Sequence, residues 1–235
     1  MTITWHTVRE LDAFRGAAPR GQPWCKVLFA DLRDPRLVPL LAPPPLALDC
    51  RDEARPATND RAYFLARRAV HRSLIGAIAG MPADEVVIAY DGDGAPRVES
   101  PENFCVSVSG HGPYAILAVG NCRMGVDFEP LDESVEPVTD VLHPEERAIL
   151  KDLVPDKKTA YFLRVWTAKE AYLKAMGRGF LDDPALVRTR FADNEIAIAC
   201  AERLLAGVSG QLVETVIDGT KIIAACVTIT SLAMS

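Results

Sequence analysis

Two long segments of this chain set apolar residues at helical spacing, and each is followed by short runs that alternate in the manner of strands. In the first, at about 100° per residue, Tyr63, Ala66, Val70, Leu74 and Ala77 fall on one side of a helix while Arg61, Arg68 and Arg72 fall on the other. The second, residues 157–176, contains no proline or glycine until Gly177-Arg178-Gly179, which predicts a helix that stops there. Strand-like runs follow the first helix at residues 86–89, 104–108 and 114–119, and the second at 187–191, 195–199, 211–217 and 222–229. Gly120-Asn121 reads as a hairpin turn into a further strand over 122–129, with Val126 and Phe128 on one face.

Ala62-Tyr63-Phe64-Leu65 recurs as Ala160-Tyr161-Phe162-Leu163, 98 residues later, at the head of each helical stretch. That repeat predicts two related halves. The expected fold is α+β, a pseudo-twofold pair of similar lobes, each a small antiparallel sheet with one main helix. An N-terminal lobe over residues 1–120 and a C-terminal lobe over 121–235 follow. The repeat maps Arg68 onto Trp166 and Arg72 onto Glu170. The arginine face then reads either as a solvated basic surface or as one wall of a cleft between the halves, where guanidinium groups would suit phosphate. The three prolines at 43–45 and the run 51–59 read as a surface connection, and the segment before them has no clear pattern.

At 235 residues and 49% apolar content the chain can bury a substantial core. Its opening residues lack a basic-then-apolar signal, and its longest apolar run, 222–227, is far too short to span a bilayer. A soluble, cytoplasmic protein without a membrane partner is expected. The six cysteines are scattered singly with no Cys-x-x-Cys, as suits buried small hydrophobes. A net charge of −6 argues against general nucleic-acid binding, so an anionic ligand needs a local basic patch.

The candidate chemistry lies in the C-terminal half. Because strand side chains alternate, Asp127 and Glu129 point the same way, opposite Val126 and Phe128. Glu170 and Lys174 lie one helical turn apart, with Trp166 a turn earlier on the same face. Alone, either group is an ordinary surface feature. Together they offer three carboxylates and a lysine able to hold one divalent metal and a phosphorylated ligand.

The segment Gly125-Val126-Asp127-Phe128-Glu129, followed by Trp166-Thr167-Ala168-Lys169-Glu170-Ala171-Tyr172-Leu173-Lys174 with Glu170 43 residues after Asp127, resembles the 4′-phosphopantetheinyl transferases, specifically the two-lobed Sfp-type. The resemblance implies a Mg²⁺-dependent enzyme that moves 4′-phosphopantetheine from coenzyme A to a serine of an apo acyl or peptidyl carrier protein. It implies Asp127, Glu129 and Glu170 as metal ligands and Glu170 and Lys174 as catalytic groups. Contacts to coenzyme A would come from Arg61, Arg68, Ser109, His111, Lys169 and Lys174. A monomer is expected, since a duplicated chain completes its cleft internally.

Two positions depart from the family pattern. Many relatives carry Gly-Lys-Pro where this chain has Gly94-Ala95-Pro96. They also carry a Ser-His-Ser type segment whose histidine contacts the 3′-phosphate, against Ser107-Val108-Ser109-Gly110-His111-Gly112 here. Counting back from Asp127 puts that histidine at Gly110, one place before His111. His111 could serve after a one-residue shift, or Arg61, Arg68 or Arg97 could hold the phosphate, or donor binding could be impaired. The alternative reading is accordingly a catalytically impaired member that binds a carrier protein or a nucleotide-like ligand. A serine hydrolase is excluded, because Ser109-Gly110-His111 lacks the Gly-x-Ser-x-Gly elbow. For an acidic carrier the chain offers the arginine-bearing helix, Lys157-Lys158, and Arg178 with Phe180. His143-Pro144-Glu145-Glu146 reads as a helix start with its acids near the positive dipole end, and His6 and His71 carry no motif.

Overall fold

The computed structural model describes residues 1–16, 18–19, 21–41, 59–90, 95–177, 183–200 and 203–230. The chain divides into two compact units, Met1–Cys122 and Arg123–Ser235.

In the first unit, strands β1 (Thr2–Thr7), β2 (Trp24–Asp31), β5 (Cys105–His111) and β6 (Tyr114–Gly120) form a sheet in the order β1-β2-β6-β5. The pairings of β6 with β2 and β5 are antiparallel, while β1 and β2 run parallel, joined through the short helix α1 (Leu11–Arg15). This strand pair escaped the sequence pattern for a physical reason. Every residue of β2 from Trp24 to Ala30 is buried, so it presents no alternation to read. Lys26 lies within that run, and its ammonium donates to the carbonyls of Phe14 and Gly16 at 2.8 and 2.6 Å, closing the C-terminal end of α1.

Helix α2 (Asn59–Ala79) packs Val70, Leu74 and Ile75 into one cluster with Leu28, Ala30, Val106, Leu117 and Val119 of that sheet. Its opposite side departs from the solvated basic face. Arg68, His71 and Arg72 are buried, Arg72 to 1% exposure. A separate ribbon, β3 (Val87–Tyr90) with β4 (Pro96–Ser100), supplies part of the cover, and the Arg68 guanidinium lies 3.7 Å from the centroid of the Tyr90 ring and 4.9 Å from that of Phe64. Helical periodicity could not register a ribbon arriving from elsewhere in the chain.

In the second unit, β7 (Arg123–Pro130), β8 (Val187–Ala192), β9 (Glu195–Cys200), β10 (Arg203–Leu204), β11 (Val208–Ile217) and β12 (Thr220–Ile229) form an antiparallel sheet in the order β10-β9-β11-β12-β7, with β8 also on β9. Helix α3 (Pro144–Asp152) precedes the long α4 (Pro155–Met176), which ends on Gly177 in the left-handed conformation at φ 71°. Helix α4 shares a core with Ile223, Ala225 and Val227 of β12 and with Ile196, Ile198 and Leu212.

The expected hairpin at Gly120-Asn121 is not formed. Strand β6 pairs with β2 and β5, whereas β7 pairs with β12. The Asn121 side-chain oxygen accepts from the Trp24 amide at 2.8 Å and its own amide donates to the Trp24 carbonyl at 3.2 Å. Its turn-forming groups thus tie to the start of β2, and the same Gly-Asn chemistry serves a change of sheet. Among the described residues no helix is long and apolar enough to cross a membrane.

Candidate active site

The site in the second unit begins with a missing side chain. A Cβ on Gly125 would stand 1.9 Å from the Ala171 carbonyl oxygen and 2.5 Å from the Ala175 amide. Only glycine lets the backbone of α4 lie this close to β7. Two residues on, Asp127 faces the same way, so the close approach delivers the helix residues Glu170 and Lys174 to it. The Lys174 ammonium lies 2.7 Å from Asp127 Oδ1.

Glu170 is 9% exposed, and its Oε1 is shielded with no hydrogen-bond partner among the described atoms. Its carboxyl is pushed up to about 7, first by burial, then by the negative charge of Asp127, with Lys174 opposing and Glu129 adding to the rise. The pocket is therefore short of positive charge. Glu129, half-buried near the end of β7, exerts the weakest of these influences.

Among the described residues no three His, Cys, Asp or Glu side chains are gathered closely enough to hold a metal ion. Asp127, Glu129 and Glu170 are thus not a preassembled cage. Neighbouring carboxylates repel one another without a counter-cation, and an ammonium already sits on Asp127. The donor chemistry still fits Mg²⁺, which takes one or two carboxylates and completes its shell with phosphate oxygens and water. A buried, unpartnered Glu170 oxygen beside Asp127 is such a donor.

Lys169, expected at the ligand, points elsewhere. Its ammonium is wholly enclosed, 2.6 Å from Glu146 Oε2 and 2.9 Å from each of the Val141 and Pro184 carbonyl oxygens. Glu146 also accepts from the Thr189 amide and hydroxyl at 2.7 and 2.8 Å and from the His143 amide at 2.8 Å. Burial lowers the proton affinity of Lys169, and the Glu146 partner opposes that shift. The pair fastens α4 to three other segments and leaves no donor for a ligand. His143 does cap a helix, α3, as its sequence indicates. The buried role of Glu146 was missed, although its place three residues after His143 is the spacing of a capping box. Trp166 stacks on Phe162 at 6.5 Å between ring centroids and joins the core.

In the first unit, Arg61 is half-buried in the opening turns of α2, and Arg68 lies under Tyr90. His111 is exposed at the end of β5 opposite Tyr114, with Ser109 half-buried on the same strand face. Val106, Val108 and Gly110 alternate onto the other face, where the two valines enter the core with α2. Arg97 is exposed and pairs with Glu99 at 3.0 Å. Sequence reasoning passed over Arg67. A Cβ on Gly110 would stand 2.6 Å from Arg67 Nη1 and 2.7 Å from its Cζ. The available signal was its place on the helix, an arginine beside Tyr63, Ala66 and Val70 on the otherwise apolar side. Lys157 is exposed and Lys158 half-buried. Residues 43–45, 51–58, Gly94, Arg178, Gly179 and Phe180 lie outside the described residues.

A sequence model of the 4′-phosphopantetheinyl transferase superfamily matches residues 123–213, the stretch holding Asp127, Glu129, Glu170 and Lys174. The 4′-phosphopantetheinyl transferase HetI of Nostoc sp. is 31% identical over 182 residues, 71% of this chain and 71% of that protein. The chain belongs to the 4′-phosphopantetheinyl transferase superfamily. Its enzyme type is phosphopantetheine transfer. A 4′-phosphopantetheinyl transferase of Bacillus subtilis is 24% identical over 172 residues, 59% of this chain and 77% of that one. Among solved structures, a holo-(acyl-carrier-protein) synthase from Bacillus anthracis in complex with CoA (3′,5′-ADP) matches 47% of this chain and 97% of its own at 22% identity. Its TM-score is 0.35, too low to bear on the fold or the ligand.

Within this superfamily, the glycine ahead of the strand acidic pair acquires a reason. It sets the distance between strand and helix, and without that distance the two halves of the signature could not act on one ligand. Phosphopantetheinyl transferase chemistry needs charge of both signs at a breaking phosphoanhydride, and this pocket holds both.

Proposed function

We propose that the chain transfers the 4′-phosphopantetheine group of coenzyme A to a serine hydroxyl of an apo acyl or peptidyl carrier protein, with Mg²⁺ held chiefly by Asp127 and Glu170 and with Glu129 at its edge. The observation that carries this reading is the contact at Gly125, which brings Asp127, Glu170 and Lys174 to one point. When bound, Mg²⁺ supplies charge neutralisation at the pyrophosphate.

The residues of the chain then have separate tasks. The serine oxygen forms a bond to the β-phosphorus as the bond from that phosphorus to the bridging oxygen breaks, and 3′,5′-ADP departs with the bridging oxygen. The serine proton passes to Glu170, directly or through a water, and burial suits that carboxylate to accept it. Lys174 holds its charge beside Asp127 in the ligand-free pocket, and from there its ammonium can turn to a phosphate oxygen. Lys169 is given no contact with the donor, because Glu146 and two carbonyls enclose it.

Intact-mass measurement of apo carrier proteins incubated with coenzyme A, in Mg²⁺ and in EDTA, tests the proposal. One phosphopantetheine increment in Mg²⁺ and none in EDTA is expected. Binding of coenzyme A without any increment on several carriers would instead favour the catalytically impaired reading, which Ala95 and Gly110 motivate. An increment that survives EDTA would sink the metal assignment alone.

A further inference from the structure

The glycine at position 110 leaves a space that the protein has filled from a different element. The Arg67 guanidinium occupies it, with Nη1, Cζ and Cδ standing 2.6, 2.7 and 2.9 Å from where a Cβ would be. Any side chain on residue 110 would displace the arginine. Gly110 is not among the residues with positive φ, so its backbone does not require glycine, and what requires it is the arginine. Arg67 is half-buried rather than enclosed, and its contact with the Gly112 carbonyl is long, at 3.5 Å. The arginine is therefore held over the end of β5 by shape, beside the exposed His111.

We propose that Arg67, seated over Gly110, is the residue that recognises the ribose 3′-phosphate of coenzyme A in this chain. The inference rests on the reading that coenzyme A is the donor. A guanidinium presents a planar fork of donors that matches a phosphate monoester dianion, and a partly desolvated position strengthens the attraction. The loop that follows, Gly110-His111-Gly112, carries no acidic side chain to compete for the arginine. His111, on the opposite strand face, is not needed for the contact.

Coenzyme A and 3′-dephospho-coenzyme A are titrated by calorimetry into the full chain, the wild type beside Arg67→Ala and Gly110→Ala. The wild type should prefer coenzyme A by roughly 10- to 100-fold, the range of one charge-assisted contact. Arg67→Ala should bring the ratio of the two dissociation constants close to one. Gly110→Ala, which retains the arginine but moves it, should reduce the ratio by several-fold, and it keeps the inference testable should Arg67→Ala fold poorly. A preference that survives both substitutions would overturn the assignment, as would a wild type that transfers from both donors equally. A wild type that binds neither donor and modifies no carrier would overturn the donor reading with it, so the two failures are distinguishable.

Discussion

Helices α2 and α4 each lie along one sheet of their own unit, at 21 and 22 residues, and each buries charged or titratable side chains, but they treat those side chains oppositely. On α2, the Arg68 cation is covered by the Tyr90 ring and His71 is kept neutral. On α4, two adjacent residues part company. Lys169 is enclosed with Glu146 and every neighbour it needs, while Glu170 keeps an unpartnered oxygen beside another carboxylate. Buried charge is compensated where it holds the fold and left short of compensation where a ligand is to complete it. The contrast within α4 separates a structural lysine from a working glutamate one residue away.

The sharpest way to break that contrast is Glu170→Gln. It removes the proton acceptor and one ligand oxygen, so transfer should fall by about 10²- to 10⁴-fold. The melting temperature should hold or rise, because a neutral amide beside Asp127 relieves repulsion. Intact-mass rates and a thermal melt check both halves, and undiminished transfer would remove Glu170 from the chemistry.

The neighbouring Lys169→Met should do the reverse. Leaving Glu146 buried and unpaired should cost about 3–5 kcal/mol in urea unfolding. Adding Glu146→Gln should recover part of that loss, since Thr189 and His143 still need an acceptor. If Lys169→Met left stability unchanged while abolishing binding of coenzyme A, the lysine would belong to the site after all.

Gly125→Ala probes what joins the two behaviours. Its Cβ cannot coexist with the Ala171 carbonyl, and α4 must move off β7. Overpacking of this kind costs about 3 kcal/mol. Because the displaced helix carries Glu170 and Lys174 away from Asp127, transfer should fall even in the fraction that stays folded. A variant of wild-type stability and rate would refute the close-approach argument.

What was legible in the sequence was whatever is local. The helix over 157–176, the strands at 187–191, 195–199, 211–217 and 222–229, and the shared direction of Asp127 and Glu129 follow from periodicity, and the structure has them with small changes of boundary. The approach of Glu170 and Lys174 to Asp127 was expected from the paired motifs. Long-range facts stayed hidden. The parallel β1–β2 pair was masked by two-sided burial, the cover over Arg68 comes from a ribbon distant in sequence, and the Lys169–Glu146 pair joins elements whose charges each look like ordinary surface chemistry. Gly125 was quoted as part of a motif, but its purpose depends on a helix packed against it, and no single-strand pattern contains that helix.

The smallest effect sharpens the α2 side. His71 is pushed down to about 3, first by burial and then by the nearby Arg68 cation, with a hydrogen bond to the Ala118 backbone opposing. A histidine whose folded value lies below its unfolded value of about 6.5 is neutral in both states above that pH and contributes no slope there. Below it the unfolded chain takes up a proton that the folded chain refuses. Stability is therefore lost as pH falls from about 6.5 toward 3, and between pH 6.5 and 5 the loss should be about 1.5–2 kcal/mol. Ordinary carboxylates titrate mostly below this window. His71→Gln, which keeps a polar group for Ala118, should flatten the urea-midpoint curve between pH 6.5 and 5. An equal slope in both proteins would mean that α2 accommodates a charged imidazole as readily as it does Arg68, and the helix could no longer be described as holding its histidine neutral.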